Sequence, residues 1–315
     1  MSTIPVNDIR QRLDAQATIL RETPNEVREK RLLACLLFPH DSTSVALAKM
    51  EYELDNGFRL ELQQPRDISA KLHWLKLHYR NPIYPTLVDK LAVRDVIRER
   101  VGASYLADLY WAGSDPECIP WNELPQSFVA KATHGWNMNV FQTPEKPISI
   151  PEATRTFRSW LCQRHDLRHG EWSYSQVQPK IIVEELLRPS DTELQDYKFY
   201  CFDGEPRFLK VDGGRDGHRR QIHLSLEWEP MPFHIRHYDP FDVPPPKPRT
   251  LDEMIEIARA LARDIPFARV DLYSFDRRVA FGEITLYPCG GNLRFDPYEW
   301  SIAVGDMITL PSRQA

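Results

Sequence analysis

The stretch Ala268-Arg-Val-Asp-Leu-Tyr273, then Ser274-Phe-Asp-Arg-Arg278, then Val279-Ala-Phe-Gly-Glu-Ile-Thr285 decides the fold. Both flanks are rich in β-branched and aromatic residues and read as strands joined by a short loop. A loop around Asp276 to Arg278 pairs positions symmetrically about residue 277. That register sets Asp271 opposite Glu283 and Arg269 opposite Thr285. Side chains alternate between faces along a strand, so these four share one face. Directly opposed Cβ atoms lie about 5 Å apart. Carboxylates that close repel each other unless a cation sits between them. Magnesium meets that need, because it takes one or two carboxylates together with substrate phosphate oxygens. The alternatives are that one of the acids pairs with Arg269 in a structural salt bridge, or that the strands pair in another register.

Working outward, Thr250 and Glu253 form a capping box at the start of a helix over 251–263. The stiff connector Pro244-Pro-Pro-Lys-Pro248 precedes it. Tyr197 to Val211 reads as a strand pair turned at Asp203-Gly204. Lys198 lies inside that otherwise apolar strand, so it needs an anion, either a phosphate or a neighbouring acid. Ile181 to Leu187 reads as a buried strand; Glu184 and Glu185 near its end suit ribose hydroxyls, or mark an exit to solvent. Phe128-Val-Ala-Lys131 is a strand ending in a turn at His134-Gly135, which places Lys131 to address a phosphate or leaves it solvated. Residues 151–166 read as a helix with Pro151 in its first turn. Residues 66–112 read as helical pieces broken at Asn81-Pro82 and Tyr84-Pro85. Two further helices are expected at 4–22 and 25–38, as a packing appendage or as a cap that binds an acceptor.

The 315 residues exceed what one core usually holds, so several packed lobes are expected. Hydrophobic content of 42% with 27% charge suits a globular chain. A net charge of -5 argues against general nucleic-acid binding. The first residues do not read as a signal peptide, and no run of about 18 apolar residues suits a membrane span. Five scattered cysteines without a CxxC pair suit reduced thiols in the cytoplasm, and no structural zinc is expected. The GxxxxGK[ST], GxGxxG, HExxH and GxSxG patterns are absent. His234 and His237 have metal-like spacing but stand beside the proline-rich connector and are not read as ligands.

Taken in order, these pieces resemble the TupA-like ATP-grasp family. The matching residues are Lys71-Leu-His-Trp-Leu-Lys-Leu77, Asp89-Lys90 with Val93-Arg94, Phe128 to Gly135, Ile182-Val-Glu184-Glu185, Asp196-Tyr-Lys198-Phe with Asp203-Gly204-Glu205-Pro206, Leu251 to Ala258, and the hairpin Arg269-Val-Asp271 with Gly282-Glu283-Ile-Thr285. The resemblance implies an α+β architecture, the ATP-grasp fold, in which two α+β lobes clasp ATP behind a helical N-terminal region. It implies an extension over 1–65, an N-terminal lobe over 66–120, a small lobe with its lid over 121–184, and a large lobe with the metal site over 185–315. It implies that Lys131, His134, Glu184, Glu185 and Lys198 bind ATP. Among these, Lys131 and Lys198 would contact phosphates, while Glu184 and Glu185 would lie at the adenine and ribose hinge. Asp271 and Glu283 would hold Mg2+, and Arg269 with Lys198 would act on the phosphoryl group in flight.

Two departures stand out. Family members usually carry a lid like HGSGxN, where this chain has His134-Gly135-Trp136-Asn137-Met138-Asn139. Losing the second glycine stiffens the lid. The metal motif common to ATP-grasp enzymes is ExN, where this chain has Glu283-Ile-Thr285; Asn292 is a candidate for the missing oxygen. The expected activity is ATP-dependent joining of a carboxylate, small-molecule or saccharide, to an amine through an acyl phosphate. The setting would be surface polysaccharide or natural-product biosynthesis. A glycosyltransferase and a non-catalytic ATP-binding protein are the rivals.

Overall fold

The computed structural model describes residues 25–188, 195–213, 220–235, 239–241, 243–275 and 278–312. The helix expected at 4–22 lies outside them, as do His237 and the hairpin tip at 276–277.

Helices α1 (Asn25–Leu37) and α2 (Thr43–Asn56) pack on each other through Ala34, Ala46, Leu47 and Met50. Gly57, at φ 78°, ends α2 in the left-handed conformation and donates its N–H to Glu53. Helix α3 (Ile68–His78) starts at Asp67, whose carboxylate does two jobs. Its Oδ1 accepts the Ala70 N–H at 3.0 Å and its Oδ2 accepts the Tyr52 hydroxyl at 2.7 Å, so one side chain caps α3 and ties it to α2. Short helices α4 (Tyr84–Val88) and α5 (Val93–Arg100) follow. Pro85 does not break the chain as expected. It sits in the first turn of α4, where no N–H is required.

The small sheet has four antiparallel strands, β1 (Leu109–Gly113), β2 (Phe128–Ala132), β3 (Asn139–Gln142) and β4 (Ile181–Glu185), in the order β1-β4-β2-β3. Helix α6 (Ile150–Leu161) covers one face, packing Ala153 and Phe157 with Phe128, Ala130, Ile181 and Val183. The stretch 109–113, of which 109–112 was expected to be helical, is a strand paired with β4. It therefore belongs with the small sheet rather than with the helices before it. A single-turn helix, α7 (Asp166–His169), precedes the return to β4.

The large sheet gathers β5 (Gln195–Phe202), β6 (Glu205–Gly213) and β7 (Arg220–Ser225). A two-residue strand β8 (His234–Ile235) stands apart, and β9 (Asp239–Pro240) returns to the sheet edge. Helix α8 (Leu251–Ala262), then β10 (Phe267–Phe275) and β11 (Arg278–Thr285), complete the order β11-β10-β5-β6-β7-β9. Strand β12 (Phe295–Asp296) pairs with β8, and α9 (Glu299–Gly305) follows. Met254, Ile257, Ala258 and Leu261 of α8 share one core with Phe199, Phe202, Val270 and Leu272 of the sheet. Ile68, Leu72, Leu87 and Ile97 join the same core, so α3 to α5 are packed onto the large lobe.

Thr250 precedes α8 but does not cap it with its side chain, contrary to expectation. At ψ 8° it is not extended, and its hydroxyl lies 2.6 Å from Ser274 Oγ instead. Glu253 accepts the Tyr105 hydroxyl at 3.0 Å rather than closing a capping box. No helix among the described residues is long and apolar enough to cross a membrane.

Replacing Asp67 by Ala removes the cap of α3 and the carboxylate that accepts the buried Tyr52 hydroxyl, leaving Tyr298 as the hydroxyl's remaining partner. The expected loss is about 1–3 kcal/mol in urea unfolding, the sum of a cap and one buried hydrogen bond. A loss below about 0.5 kcal/mol contradicts this reading.

Candidate active site

The hairpin brings Asp271 opposite Glu283 and Arg269 opposite Thr285, the pairs read from the sequence. It does so by a different route. Phe275 pairs with Arg278 and Leu272 with Phe281, a register one residue away from the symmetric one. A bulge between Asp271 and Leu272, in which Gly282 is the extra residue, restores the register at the acids. A Cβ on Gly282 would come within 2.9 Å of the Asp271 carbonyl oxygen, so the bulge has room only for glycine.

The four side chains do meet on one face, and the cation among them is Arg269. Its Nε lies 2.7 Å from Asp271 Oδ1 and its Nη2 2.7 Å from Oδ2. The same Nη2 is 3.1 Å from Glu283 Oε1 and 3.0 Å from Thr285 Oγ1. Lys198 stands directly across from Asp271 on β5 and donates to Oδ2 at 2.7 Å. It also donates to Asp196 and lies 3.7 Å from Asp212. Lys198 therefore has acid partners within the protein. Burial alone would lower its pKa, but Asp271 and Asp196 outweigh burial and raise it. Burial alone would raise the Asp271 carboxyl; Arg269 and Lys198 together hold it below the usual range. Burial, reinforced by the charge of Asp271, pushes Asp196 up to about 6.

A cavity of about 530 Å³ opens between the two sheets. Part of the wall is apolar, with Leu87, Val88, Val93, Leu106 and Ala107. There Glu184 is fixed by two cations, Lys131 at 2.6 Å from Oε1 and Arg94 at 3.2 Å from Oε2. Arg94 also donates to the Ala107 carbonyl at 2.6 Å. The lining also carries Lys90, Lys131, Lys198 and Arg269 together with Asp271 and Glu283. Trp136, His169, Glu171, Tyr174, Tyr287 and Gly290 line it as well.

Other expected residues lie elsewhere. His134 is buried outside the cavity lining, with Nε2 at 3.0 Å from the Trp160 carbonyl oxygen, and burial lowers its pKa. Glu185 does not line the cavity either; it accepts the Asp108 N–H at 3.3 Å. Asn292 is likewise not in the lining, and its Oδ1 accepts from His73 Nε2 at 2.9 Å. His234 lies 3.8 Å from Asp296. Among the described residues no group of three or more His, Cys, Asp or Glu side chains is placed to hold a metal ion.

The turn after Lys131 is clamped. A Cβ on Gly135 would fall 2.5 Å from the His165 ring. The ring of Trp136 meets His165 edge-on at 5.5 Å and His169 at 6.0 Å, with the Arg168 guanidinium at 5.1 Å. Lys90 braces the same turn, donating its ammonium to the Gly135 carbonyl and its N–H to the Thr133 carbonyl at 3.2 Å. Lys90 was visible in the sequence as part of Asp89-Lys90 but carried no role there. Its ammonium bonds a carbonyl rather than a carboxylate, which leaves its positive charge available to an anion in the cavity.

The geometry suits Mg2+ of one kind. Asp271 and Glu283 are two hard oxygen donors on one face, and Glu283 is 43% exposed toward the cavity. Asp196, Asp212, Asp271 and Glu283 gather around Lys198, Lys210 and Arg269, one carboxylate in excess. Two carboxylates and no third protein ligand is the donor set of an ion completed by substrate phosphates.

The model of the TupA-like ATPgrasp family matches residues 70–309. No curated protein matches the chain. Among solved structures, the chain is similar to the D-alanine–D-alanine ligase of Bacillus anthracis complexed with ATP, at 14% identity and a TM-score of 0.40, over 64% of this chain and 55% of that one. It is similar to the D-alanine–D-alanine ligase of Helicobacter pylori at 12% identity and 0.42, over 78% and 69%. It is also similar to the ATP-grasp ligase PsnB with a phosphomimetic variant of its minimal precursor, Mg and ADP, at 11% and 0.39, over 76% and 64%. The chain thus spans little more than half the length of the Bacillus enzyme. At such scores the family assignment rests on the family match alone.

Replacing Lys198 by Met leaves Asp196, Asp212 and Asp271 converging without their shared cation. The expected loss of stability is about 3–5 kcal/mol, as for breaking a buried ion pair, read by urea unfolding. An unchanged midpoint would show that Lys198 does not balance these acids.

Proposed function

The chain belongs to the TupA-like ATP-grasp family, and on that premise we propose that it is an ATP-dependent ligase joining a carboxylate to an amine through an acyl phosphate. The observation that carries this reading is the Arg269, Asp271, Glu283 and Lys198 constellation on one wall of the cavity.

The apolar wall, with Leu87, Val88 and Ala107, suits the purine of ATP, and Glu184, joined to Ala107 through Arg94, suits the ribose. Phosphates then extend toward Lys90, Lys131 and Lys198. Asp271 and Glu283 are the residues that would hold magnesium, with Thr285 beside them. When bound there, magnesium neutralises charge on the phosphates. Arg269, relieved of balancing both carboxylates, directs its guanidinium at the phosphoryl group in flight. The substrate carboxylate oxygen bonds to the γ-phosphorus as the bond to ADP breaks. The amine nitrogen then bonds to the acyl carbon, phosphate leaves with the electron pair, and the extra proton of the nitrogen passes to solvent. Lys198 stays cationic throughout, because Asp271 and Asp196 keep its pKa high. A cytoplasmic setting follows from the need for ATP. A uronic acid or an amino acid as the carboxylate suits surface polysaccharide or natural-product biosynthesis, the settings this reading favours.

The clamped turn at Trp136 favours a second reading, an ATP-binding protein without turnover. One assay separates the two. On the ligase reading, ADP forms only when ATP, an acid from a panel of uronic and amino acids, and an amine are all present. Asp271→Asn and Glu283→Gln should each lower that rate about 100-fold or more, the usual cost of removing a charge-stabilising group. ATP binding with no ADP across the panel contradicts the ligase reading and supports the second.

A further inference from the structure

We propose that the cavity wall around Glu171 is a subsite for a cationic amine, with the Glu171 carboxylate as its counter-ion. The proposal rests on the ligase reading, in which an amine is the second substrate.

Glu171 is 6% exposed and lines the cavity. Among the described residues its carboxylate has no hydrogen bond and no ion pair, whereas the charges around it are matched. Lys76 is the neighbouring cation, but its ammonium donates to the Gly290 carbonyl at 2.5 Å and lies 3.9 Å from Glu51 Oε2. Glu51 Oε1 takes Lys30 at 2.5 Å and His169 Nδ1 at 2.7 Å. Burial alone would raise the Glu51 carboxyl, yet His169, Lys76 and Lys30 bring it down to about 2. Nδ1 of His169 is therefore the donor in that bond. Burial pushes Glu171 the other way, up to about 7, with Lys76 offsetting it only in part. A carboxylate buried without a partner is costly, and the cost is removed when a cation comes to it.

The surroundings suit an ammonium group. Trp136, Tyr174 and Tyr287 supply aromatic walls, which attract cations to their faces. Burial raises the hydroxyl of Tyr174 far above its usual value, so the ring adds no charge. Glu171, Glu283 and Arg269 all lie close enough for their charges to act on Tyr174, and Glu283 acts on Glu171 as well, so the subsite adjoins the place of phosphoryl transfer. An amine held at Glu171 would stand next to the acyl phosphate, and its ammonium would give one proton to solvent before the freed nitrogen lone pair attacks. Glu51 lies on α2, before the family match at 70–309, and fixes His169 two residues from Glu171. The helical N-terminal region thus completes this wall and is more than packing.

The test is calorimetric titration with ethanolamine, and with ethylene glycol as its uncharged analogue. Both are run on wild type and Glu171→Gln, with and without magnesium and a non-hydrolysable ATP analogue. Ethanolamine should bind wild type and ethylene glycol should not. Glu171→Gln should weaken ethanolamine about tenfold or more, as expected for losing a charged partner. The same variant should bind the ATP analogue as wild type does. Its Tm should rise by about 2–5 °C at pH 8, because an unpaired buried charge has gone. Equal ethanolamine affinity in the two proteins overturns the proposal, as does a wild type that binds the ATP analogue but no ethanolamine. A wild type that binds ethanolamine through Glu171 but never binds the nucleotide upholds the subsite and sinks the ligase reading.

Discussion

Arg269 holds both oxygens of Asp271 and one oxygen of Glu283, and Lys198 holds Asp271 from the neighbouring strand. Asp271 is 2% exposed, and a carboxylate that deep is tolerated only when its charge is matched at contact distance. The groups of this network come from β5, β10 and β11, so three strands must be in register for the charges to meet. Val270 and Leu272 of β10, the neighbours of Asp271, belong to the core that α8 closes, as does Phe199 beside Lys198. A slip of one residue would drive the charges into that core and the apolar side chains into the cavity. Packing on one face and charge balance on the other therefore enforce the same register.

The same balance explains how the cavity can concentrate cations before any ligand arrives. Lys131 and Arg94 lean on Glu184, Lys198 on Asp271 and Asp196, and Arg269 on Asp271 and Glu283. On the proposed reading, nucleotide binding is an exchange of partners. Phosphates take cations that acids now hold, and the freed acids take a divalent ion. Preorganised charges of this kind need little reorganisation at the moment of reaction. Glu171 is the exception, a buried acid with no hydrogen-bond or ion-pair partner among the described residues, and on this account its partner is substrate.

Much of this was legible in the sequence, and the rest was hidden for physical reasons. Asp271 opposite Glu283 followed from strand alternation, although the two-residue tip and the Gly282 bulge, which cancel at the acids, did not. Lys198 required an anion wherever it sat in an apolar strand; which anion depended on the strand beside it. The split between the lobes was harder, because 109–113 is a strand only through its pairing with β4 at 181–184, far away in the chain. Thr250 carries the residue type of a helix cap, but tertiary contact with Ser274 claims its hydroxyl. His134 and Asn292 sit beside the right turns in the chain yet make their hydrogen bonds away from the cavity, since neighbouring residues in a turn point in different directions. Glu171 lies in an irregular segment with no periodicity to read, and only the folded chain shows its exposure to the cavity.

The central claim is that the opposed carboxylates exchange Arg269 for a divalent ion when nucleotide is present. Crystals grown with ADP and Mn2+ test it through the anomalous scattering of manganese. The account expects a peak between the carboxylates of Asp271 and Glu283, with the guanidinium of Arg269 turned toward the nucleotide phosphates. Nucleotide in the cavity with Arg269 still bridging both acids, and no manganese between them, would contradict it.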